Sequence, residues 1–308
     1  MLNNSSASMS KKKLLLLCRA PWLYSCTRLK EVAEISGYQL DIVDPNRFIL
    51  RLNQEPRLFY QAPNHHQAIP FPLDIAGVIP RFGTTSTEQG CRLLRYFEDL
   101  GIPVLNSADS IELARNKWKS LYQLKRCGIP VPESLFNGCD TSSKIAVHYC
   151  GSPTILKTLN GSQGVGVILA EQTDSAISML ETLQQAEVPV LLQQFISEAR
   201  GTDLRCFVIG EKVITAMQRH GQNGEFRANF HRGGTATNVQ LTSEEIQLAI
   251  KATKAIGLDI AGVDLIRSNM GSFVLEVNAS PGLELIEQTT KLDLALQMLL
   301  YLERKMKN

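Results

Sequence analysis

Asp264, Glu276 and Asn278 are oxygen-bearing side chains whose spacing could gather a hard cation. They lie in the segment 262–282, where apolar and polar residues alternate on both sides of Asn269, Met270 and Gly271. Those three residues predict a hairpin loop with the glycine at the left-handed position. Folded that way, Ser268 faces Ser272 and Asp264 faces Glu276. Side chains repeat every second residue along a strand, so Asn278 shares the face of Glu276. Val263, Leu265, Leu275 and Val277 would back the other face. Two carboxylates and an amide oxygen suit Mg²⁺, which completes its octahedron with water and phosphate oxygens. The plainer alternative is a half-solvated strand pair whose facing acids repel.

Other chemistry-bearing residues precede this hairpin. Lys157 ends an apolar strand and is followed by Gly161-Ser-Gln-Gly-Val-Gly166. That loop separates two strand-like runs, and no Gly-Lys-Ser/Thr follows it. It is therefore neither a dinucleotide fingerprint nor a P-loop. A glycine hairpin could cover phosphates with backbone N–H groups, and a tight turn is the simpler reading. Lys117 lies on a helix and could reach the same phosphates, or be a solvated surface lysine. The run Arg227-Ala-Asn-Phe-His-Arg-Gly-Gly234 is basic, and its guanidinium groups suit phosphate or carboxylate, as does Arg205 two residues after Asp203. A charged surface loop is the bland alternative, and His231 reads as a loop hydrogen-bonder.

Several elements must position these groups. The run Leu14–Cys18 predicts a buried strand, followed by a helix from Ser25 to Ser36 and strands over 38–43 and 77–80. This βαβ rhythm predicts a small parallel-sheet domain, interrupted by an irregular or hairpin excursion over 54–71. Further helices are expected over 87–100, 110–127, 173–185, 243–256 and 292–305. Strands are expected over 102–105, 154–156, 167–170, 190–194, 204–209 and 212–218. A boundary falls near residues 106–110.

The 308 residues are enough for two or three lobes. A hydrophobic fraction of 44%, a charged fraction of 20% and a net charge of +2 describe an ordinary soluble protein with no global nucleic-acid signature. Seven scattered cysteines without a C-x-x-C pair argue against a disulfide framework or a zinc site and for a reducing cytosol. Lys11–Lys13 before Leu14–Leu17 is too short to be a secretory signal, residues 1–10 read as a disordered tail, and no run is long enough to span a membrane.

Two lysines, a glycine loop, an apolar strand and an Asp…Glu-x-Asn face, in that order, resemble the ATP-grasp superfamily. Within it the chain is similar to the RimK family of glutamate ligases, through Leu23-Tyr-Ser-Cys-Thr-Arg-Leu29, Val78-Ile-Pro-Arg-Phe-Gly83, Gln163-Gly-Val-Gly-Val167, His231-Arg-Gly-Gly234 and Leu275-Glu-Val-Asn-Ala-Ser-Pro-Gly-Leu283. The resemblance runs from about Lys12 to Arg304. It implies an α/β (α+β) ATP-grasp fold: a tail over 1–10, a pre-ATP-grasp domain over 11–106, a central lobe over 107–188 and a metal-bearing lobe over 189–308.

Carried over by position, the resemblance implies that Lys117, Lys157, Gln163 and Gly164 contact ATP phosphates. Gln194 and Phe195 would read the adenine edge, Asp203 would bind the ribose, and Arg227, Ala228 and Asn229 would line the nucleotide site. Asp264, Glu276 and Asn278 would hold two Mg²⁺ or Mn²⁺ ions. Arg205 and Arg232 would act on the acyl phosphate and the substrate carboxylate. Gln194-Phe195 departs from the Glu-Tyr common in the family. The implied activity is ATP-dependent addition of glutamate to the C-terminus of ribosomal protein S6, and possible poly-glutamate formation, by a cytoplasmic homo-oligomer, commonly a tetramer. An ATP-grasp ligase acting on a small molecule, carrier protein or glutamate-containing cofactor is the alternative, followed by a non-catalytic nucleotide-binding regulator.

Overall fold

The computed structural model describes residues 11–307 other than 56, 139, 160–165, 223–224 and 227–233. The chain forms two compact units, one of residues 11–105 with 295–307 and one of residues 106–294.

The first unit is built on β1 (Lys13–Leu17), α1 (Tyr24–Ile35), β2 (Gln39–Val43), β3 (Phe48–Leu50), β4 (Leu58–Tyr60), β5 (Ile69–Pro70), β6 (Ile75–Pro80) and α2 (Thr87–Asp99). β1, β2 and β6 form a parallel sheet in the order β2-β1-β6. The continuous leucine run of β1 follows from that position, because a central parallel strand is buried on both faces. Leu14–Leu17 are accordingly all buried. The strand expected over 102–105 is reduced to one parallel bridge, Val104 to Val78. The excursion folds as an antiparallel sheet, β3-β4-β5, held by a triangle of Phe48, Tyr60 and Phe71 with ring centroids 4.8–5.9 Å apart.

The second unit begins with α3 (Ala108–Arg115) and α4 (Lys117–Arg126). One helix was expected across 110–127. The break falls at Asn116, whose side chain accepts from Lys119 N at 2.9 Å and caps α4. Asn favours such local bonds over a helix interior. Next come β7 (Ser134–Phe136), α5 (Ser143–Cys150), β8 (Thr154–Thr158), β9 (Val167–Ala170), α6 (Thr173–Gln185) and β10 (Val190–Gln194). They make an antiparallel sheet in the order β7-β10-β8-β9, with a core of Val147, Leu156, Leu180 and Leu192 between it and its helices.

The remaining elements are β11 (Thr202–Ile209), β12 (Lys212–His220), β13 (Thr235–Asn238), α7 (Ser243–Ile256), β14 (Ile260–Ser268), β15 (Gly271–Asn278) and α8 (Glu284–Thr290). Their five-stranded antiparallel sheet has the order β13-β12-β11-β14-β15. Helix α7 starts in a capping box, Thr242 to Glu245. The same Glu245 receives Arg267 of β14 at 2.7 and 2.9 Å, tying helix cap to sheet. The closing helix α9 (Leu294–Lys305) groups from Ala295 onward with the first unit, whereas the sequence places it with the last lobe. Its Leu302 lies within 3.1 Å of where a Cβ on Gly77 would stand.

Asn106 opens the second unit and is 2% exposed. Its Oδ1 accepts from Asp259 N and Ile260 N, and its Nδ2 donates to the carbonyls of Ile260 and Ala279, at 2.7–2.9 Å. One amide thus fixes both strands of the terminal hairpin. Asn106→Ala leaves several buried backbone groups unpaired and is expected to cost about 3 kcal/mol. Chemical denaturation of the variant checks this, and an unchanged midpoint would refute it.

Candidate active site

Strand register puts several charged residues of the five-stranded sheet on one face. Glu276 of β15 is opposite Asp264 of β14, and Asp264 is opposite Arg205 of β11. Asp203 lies two residues from Arg205 on the same strand and is opposite Arg219 of β12. With a period of two, Asp203, Arg205, Arg219, Asp264, Glu276 and Asn278 share that face.

The hairpin reaches this pairing by a route other than the expected one. Ser268 pairs with Gly271 and Arg267 with Ser272, one residue tighter than predicted, with Gly271 at φ +106°. A bulge then sets Leu265 opposite Val274 and restores Asp264 to Glu276. Leu275 is the extra residue, so Val274, and not Leu275, joins Val263, Leu265 and Val277 in the buried layer.

Asp264 is 3% exposed. Arg205 grips its carboxylate bidentately, through Nε to Oδ1 and through Nη2 to Oδ2 at 2.7 Å. Arg219 reaches diagonally across β11 to the same Oδ2 at 2.8 Å while holding Asp203 bidentately at 2.6 and 2.7 Å. Burial alone would raise the Asp264 pKa, but the two guanidinium groups outweigh it and hold the carboxyl at about 2. Burial likewise works against the Arg219 charge, and Asp264 and Asp203 reverse that and raise its pKa. Burial raises the Asp203 pKa and the Arg219 guanidinium opposes that; with both acids ionised the four groups form a neutral, mutually dependent set. Arg219 is the residue that sequence reasoning missed, since Met-Gln-Arg-His reads as the end of a surface strand.

Gly262, opposite Asn278, lies under this set. A Cβ there would come within 2.7 Å of Pro281 and 3.2 Å of the Arg205 stem, so the Arg205 grip depends on a glycine. Asn278 donates through Nδ2 to Glu276 Oε1 at 3.0 Å and to Gly262 O at 3.2 Å. That geometry leaves Asn278 Oδ1 and Glu276 Oε2 without a donor among the described residues.

The lysines arrive from the first part of the second unit, Lys157 from strand β8 and Lys117 from helix α4. Lys157 of β8 donates to Gln193 Oε1 at 2.6 Å, and Gln193 is anchored by its own donation to Ser134 Oγ at 2.9 Å. Lys117, the first residue of α4, donates to Leu159 O at 3.3 Å. Burial pushes both ammonium groups below their ordinary pKa, and Glu276 is the nearby charge that opposes it in each case. Lys117 and Lys157 are thus brought to the Asp264–Glu276 face. Gln194 ends β10 with its N–H on Glu133 O at 2.8 Å, and Phe195 packs edge-on to Phe226 and under Arg200. The expected contacts Gln163, Gly164, Arg227, Ala228, Asn229 and Arg232 lie outside the described residues.

A parallel-sheet unit followed by a unit of two antiparallel sheets, with a lysine pair and an acidic strand pair, defines the ATP-grasp class of folds. Solved structures agree. The ligase PsnB, complexed with a phosphomimetic variant of its minimal precursor, Mg and ADP, superposes with a TM-score of 0.71 at 21% identity, covering 96% of this chain and 99% of that one. D-alanyl-alanine synthetase A from Vibrio cholerae gives a TM-score of 0.71 at 17% identity, covering 98% and 100%.

The family is narrower than the fold. The RimK PreATP-grasp domain matches residues 13–111, and the RimK-like ATP-grasp domain matches residues 114–302. A probable alpha-L-glutamate ligase of Pasteurella multocida is 58% identical over 95% of this chain and 94% of its own length. One from Haemophilus influenzae is 55% identical over 94% and 97%. The chain belongs to the RimK family and is an ATP-grasp ligase that forms an amide bond.

The family implies ATP and a divalent cation. The donor set fits such a cation: Glu276 Oε2 and Asn278 Oδ1 are unengaged, hard and on one face. Among the described residues no helix is long and apolar enough to cross a membrane, and the cysteines are free thiols.

Proposed function

We propose that this ligase joins glutamate to a peptide carboxyl terminus at the expense of ATP, with the C-terminus of ribosomal protein S6 as acceptor, in the cytoplasm. The observation that carries the reading is the meeting of two half-buried lysines with unengaged oxygens of Glu276 and Asn278, in a chain similar throughout to probable alpha-L-glutamate ligases. The acceptor carboxylate oxygen attacks the γ-phosphorus and ADP leaves. The glutamate amine then attacks the acyl carbon, and phosphate departs with that oxygen. No protein nucleophile is needed.

In this reading Lys157 and Lys117 neutralise the polyphosphate as negative charge shifts towards the leaving ADP. Glu276 and Asn278, with Asp264 between its two arginines, would hold Mg²⁺ or Mn²⁺, which would supply charge neutralisation at the transferred phosphoryl group. Arg219, which binds both Asp203 and Asp264, would position the first for the ribose and the second for the cation. Arg205 commits Nε and Nη2 to Asp264 and keeps Nη1 for substrate.

Incubation with ATP, Mg²⁺, glutamate and the ribosomal protein tests the reading by intact mass. A ladder spaced by one glutamyl residue is the expected result. ADP without a ladder moves the acceptor to a small molecule or carrier protein, and no ADP with any acceptor refutes the ligase reading.

Lys157 also sets a pH signature. Its pKa is lowered from 10.5, and a bound polyphosphate raises it again. Between the lowered value and 10.5, binding therefore takes up a proton, and affinity falls as pH rises through that window. Calorimetry of ATP binding in buffers of differing ionisation enthalpy is expected to detect this uptake in the parent and a smaller one in Lys157→Met. Equal uptake in both would refute the assignment.

A further inference from the structure

Two motifs of the first unit, around Leu23–Leu29 and Val78–Gly83, have no role in the nucleotide chemistry. They meet at the carboxyl ends of the parallel strands. The chain leaves β1 through α1 to β2 on one side and later places β6 on the other, so the strand order reverses between β1 and β6. Open parallel sheets bind ligands in the crevice at that reversal.

Two arginines cross this crevice in opposite directions. Arg81, after β6, donates through Nη2 to Ser25 Oγ at 3.0 Å, and Arg19, after β1, donates through Nη1 to Thr85 Oγ1 at 3.3 Å. Each guanidinium thus meets a neutral hydroxyl from the segment that follows the opposite strand. Arg81 has no carboxylate partner among the described residues, and its Nε and Nη1 have no acceptor there. Arg19 has only a loose pairing with Asp44 at 3.9 Å, which Asp44 shares with Arg47 at 3.9 Å. Because Ser25 Oγ accepts from Arg81, its own proton is free to donate. Helix α1 begins just before Ser25 with no side-chain cap at Leu23, so its amide dipoles add to the positive field.

The neighbouring thiols do not balance this charge. The hydrogen bond from Cys26 brings Cys18 down to about 6 against its burial, with Ala20 and Arg81 assisting and Asp44 opposing. Counting Cys18 as a thiolate, three guanidinium groups (Arg19, Arg47, Arg81) face one carboxylate and one thiolate, an excess of one positive charge. Burial meanwhile works against the Arg81 charge, with Cys26 and Cys18 opposing that shift.

We propose that the crevice between β1 and β6 is a carboxylate-binding site, with Arg81 and Arg19 as guanidinium donors and Ser25 as hydroxyl donor, and that it takes a carboxylate of the amino-acid substrate. Only the identity of that amino acid as glutamate rests on the ligase reading. A forked guanidinium matches a planar carboxylate in charge and shape, and a second one approaching from the facing loop fits a clamp that trades hydroxyl partners for the ligand.

The β1–α1 loop carries its own reporter. Trp22 is 76% exposed, and the chain has two tryptophans, so Trp118→Phe leaves Trp22 as the sole emitter. The full chain carrying Trp118→Phe is titrated with glutamate, glutarate and glutamate dimethyl ester without ATP. A saturable emission change with the first two and none with the ester is expected. Arg81→Gln and Arg19→Gln should each weaken it by about tenfold or more, and Ser25→Ala by about threefold. Circular dichroism monitors folding, and Ser25→Ala keeps the test decisive should Arg81→Gln fail to fold.

Unchanged midpoints in Ser25→Ala and the folded arginine variants would overturn the site, as would the absence of any saturable response to either carboxylate. A response to a peptide with a free carboxyl terminus but not to glutamate would overturn the amino-acid assignment. Glutamate binding without glutamate incorporation during ATP turnover would uphold the site while the glutamate-ligase reading failed.

Discussion

Glu276→Ala is expected to reduce amide formation by about a thousandfold or more while the protein stays folded, because transition-state charge stabilisation is usually the largest catalytic contribution. Glu276 points an unengaged oxygen to the face where Asp264 and Asn278 stand, and it is the nearby anion acting on both Lys117 and Lys157. Its side chain is exposed, so truncation opens no core cavity. Steady-state ADP release and intact-mass product analysis measure the effect. A variant within a few-fold of the parent would remove the metal-holding role, and with it the central step of the proposed chemistry.

Arg219→Met is expected to have the largest effect on stability, about 3–5 kcal/mol, because it strands two buried carboxylates that one guanidinium now serves. Asp203 would lose both hydrogen bonds that Arg219 supplies, and Asp264 would keep only Arg205. The two acids would then repel across the sheet, and Asp264 would titrate above its present value of about 2. Adding Asp203→Asn to Arg219→Met should recover part of the loss, since it removes one uncompensated charge. Urea denaturation of the single and double variants decides the matter. If Arg219→Met unfolds at the parent's midpoint, the four groups are not the coupled set described above.

Strong periodicity made much of this fold legible. Helices α6 and α7 and strand β10 begin and end where sequence pattern places them, α7 between its Thr242 capping box and Gly257. The facing of Asp264 and Glu276 was also readable, though it rests on two offsets that sequence does not signal. The turn is one residue tighter than expected, and the bulge at Leu275 compensates. A bulge leaves no mark in composition, because Val274 and Leu275 are equally apolar. Asn116 sits within helical periodicity, and the competition it wins is local hydrogen bonding against propensity. Short elements such as β7, β13 and α8 carry too few residues for a period to register. Arg219 was illegible for a different reason. Its partners are 16 and 45 positions away, and only strand order brings them together.

The return of α9 to the first unit has a consequence for synthesis. Ala295, Met298, Leu299 and Leu302 are buried, and Leu302 fills the space over Gly77 while Lys305 donates to Val104 O at 3.0 Å. The part of the chain that a ribosome makes first is therefore the part that is finished last. Until residues 295–305 emerge, the leucine-rich sheet waits without one of its covering helices, its apolar face open to chaperones or to other nascent chains. Premature termination near the end would damage the opening domain, and leave the nucleotide-handling unit the better formed of the two.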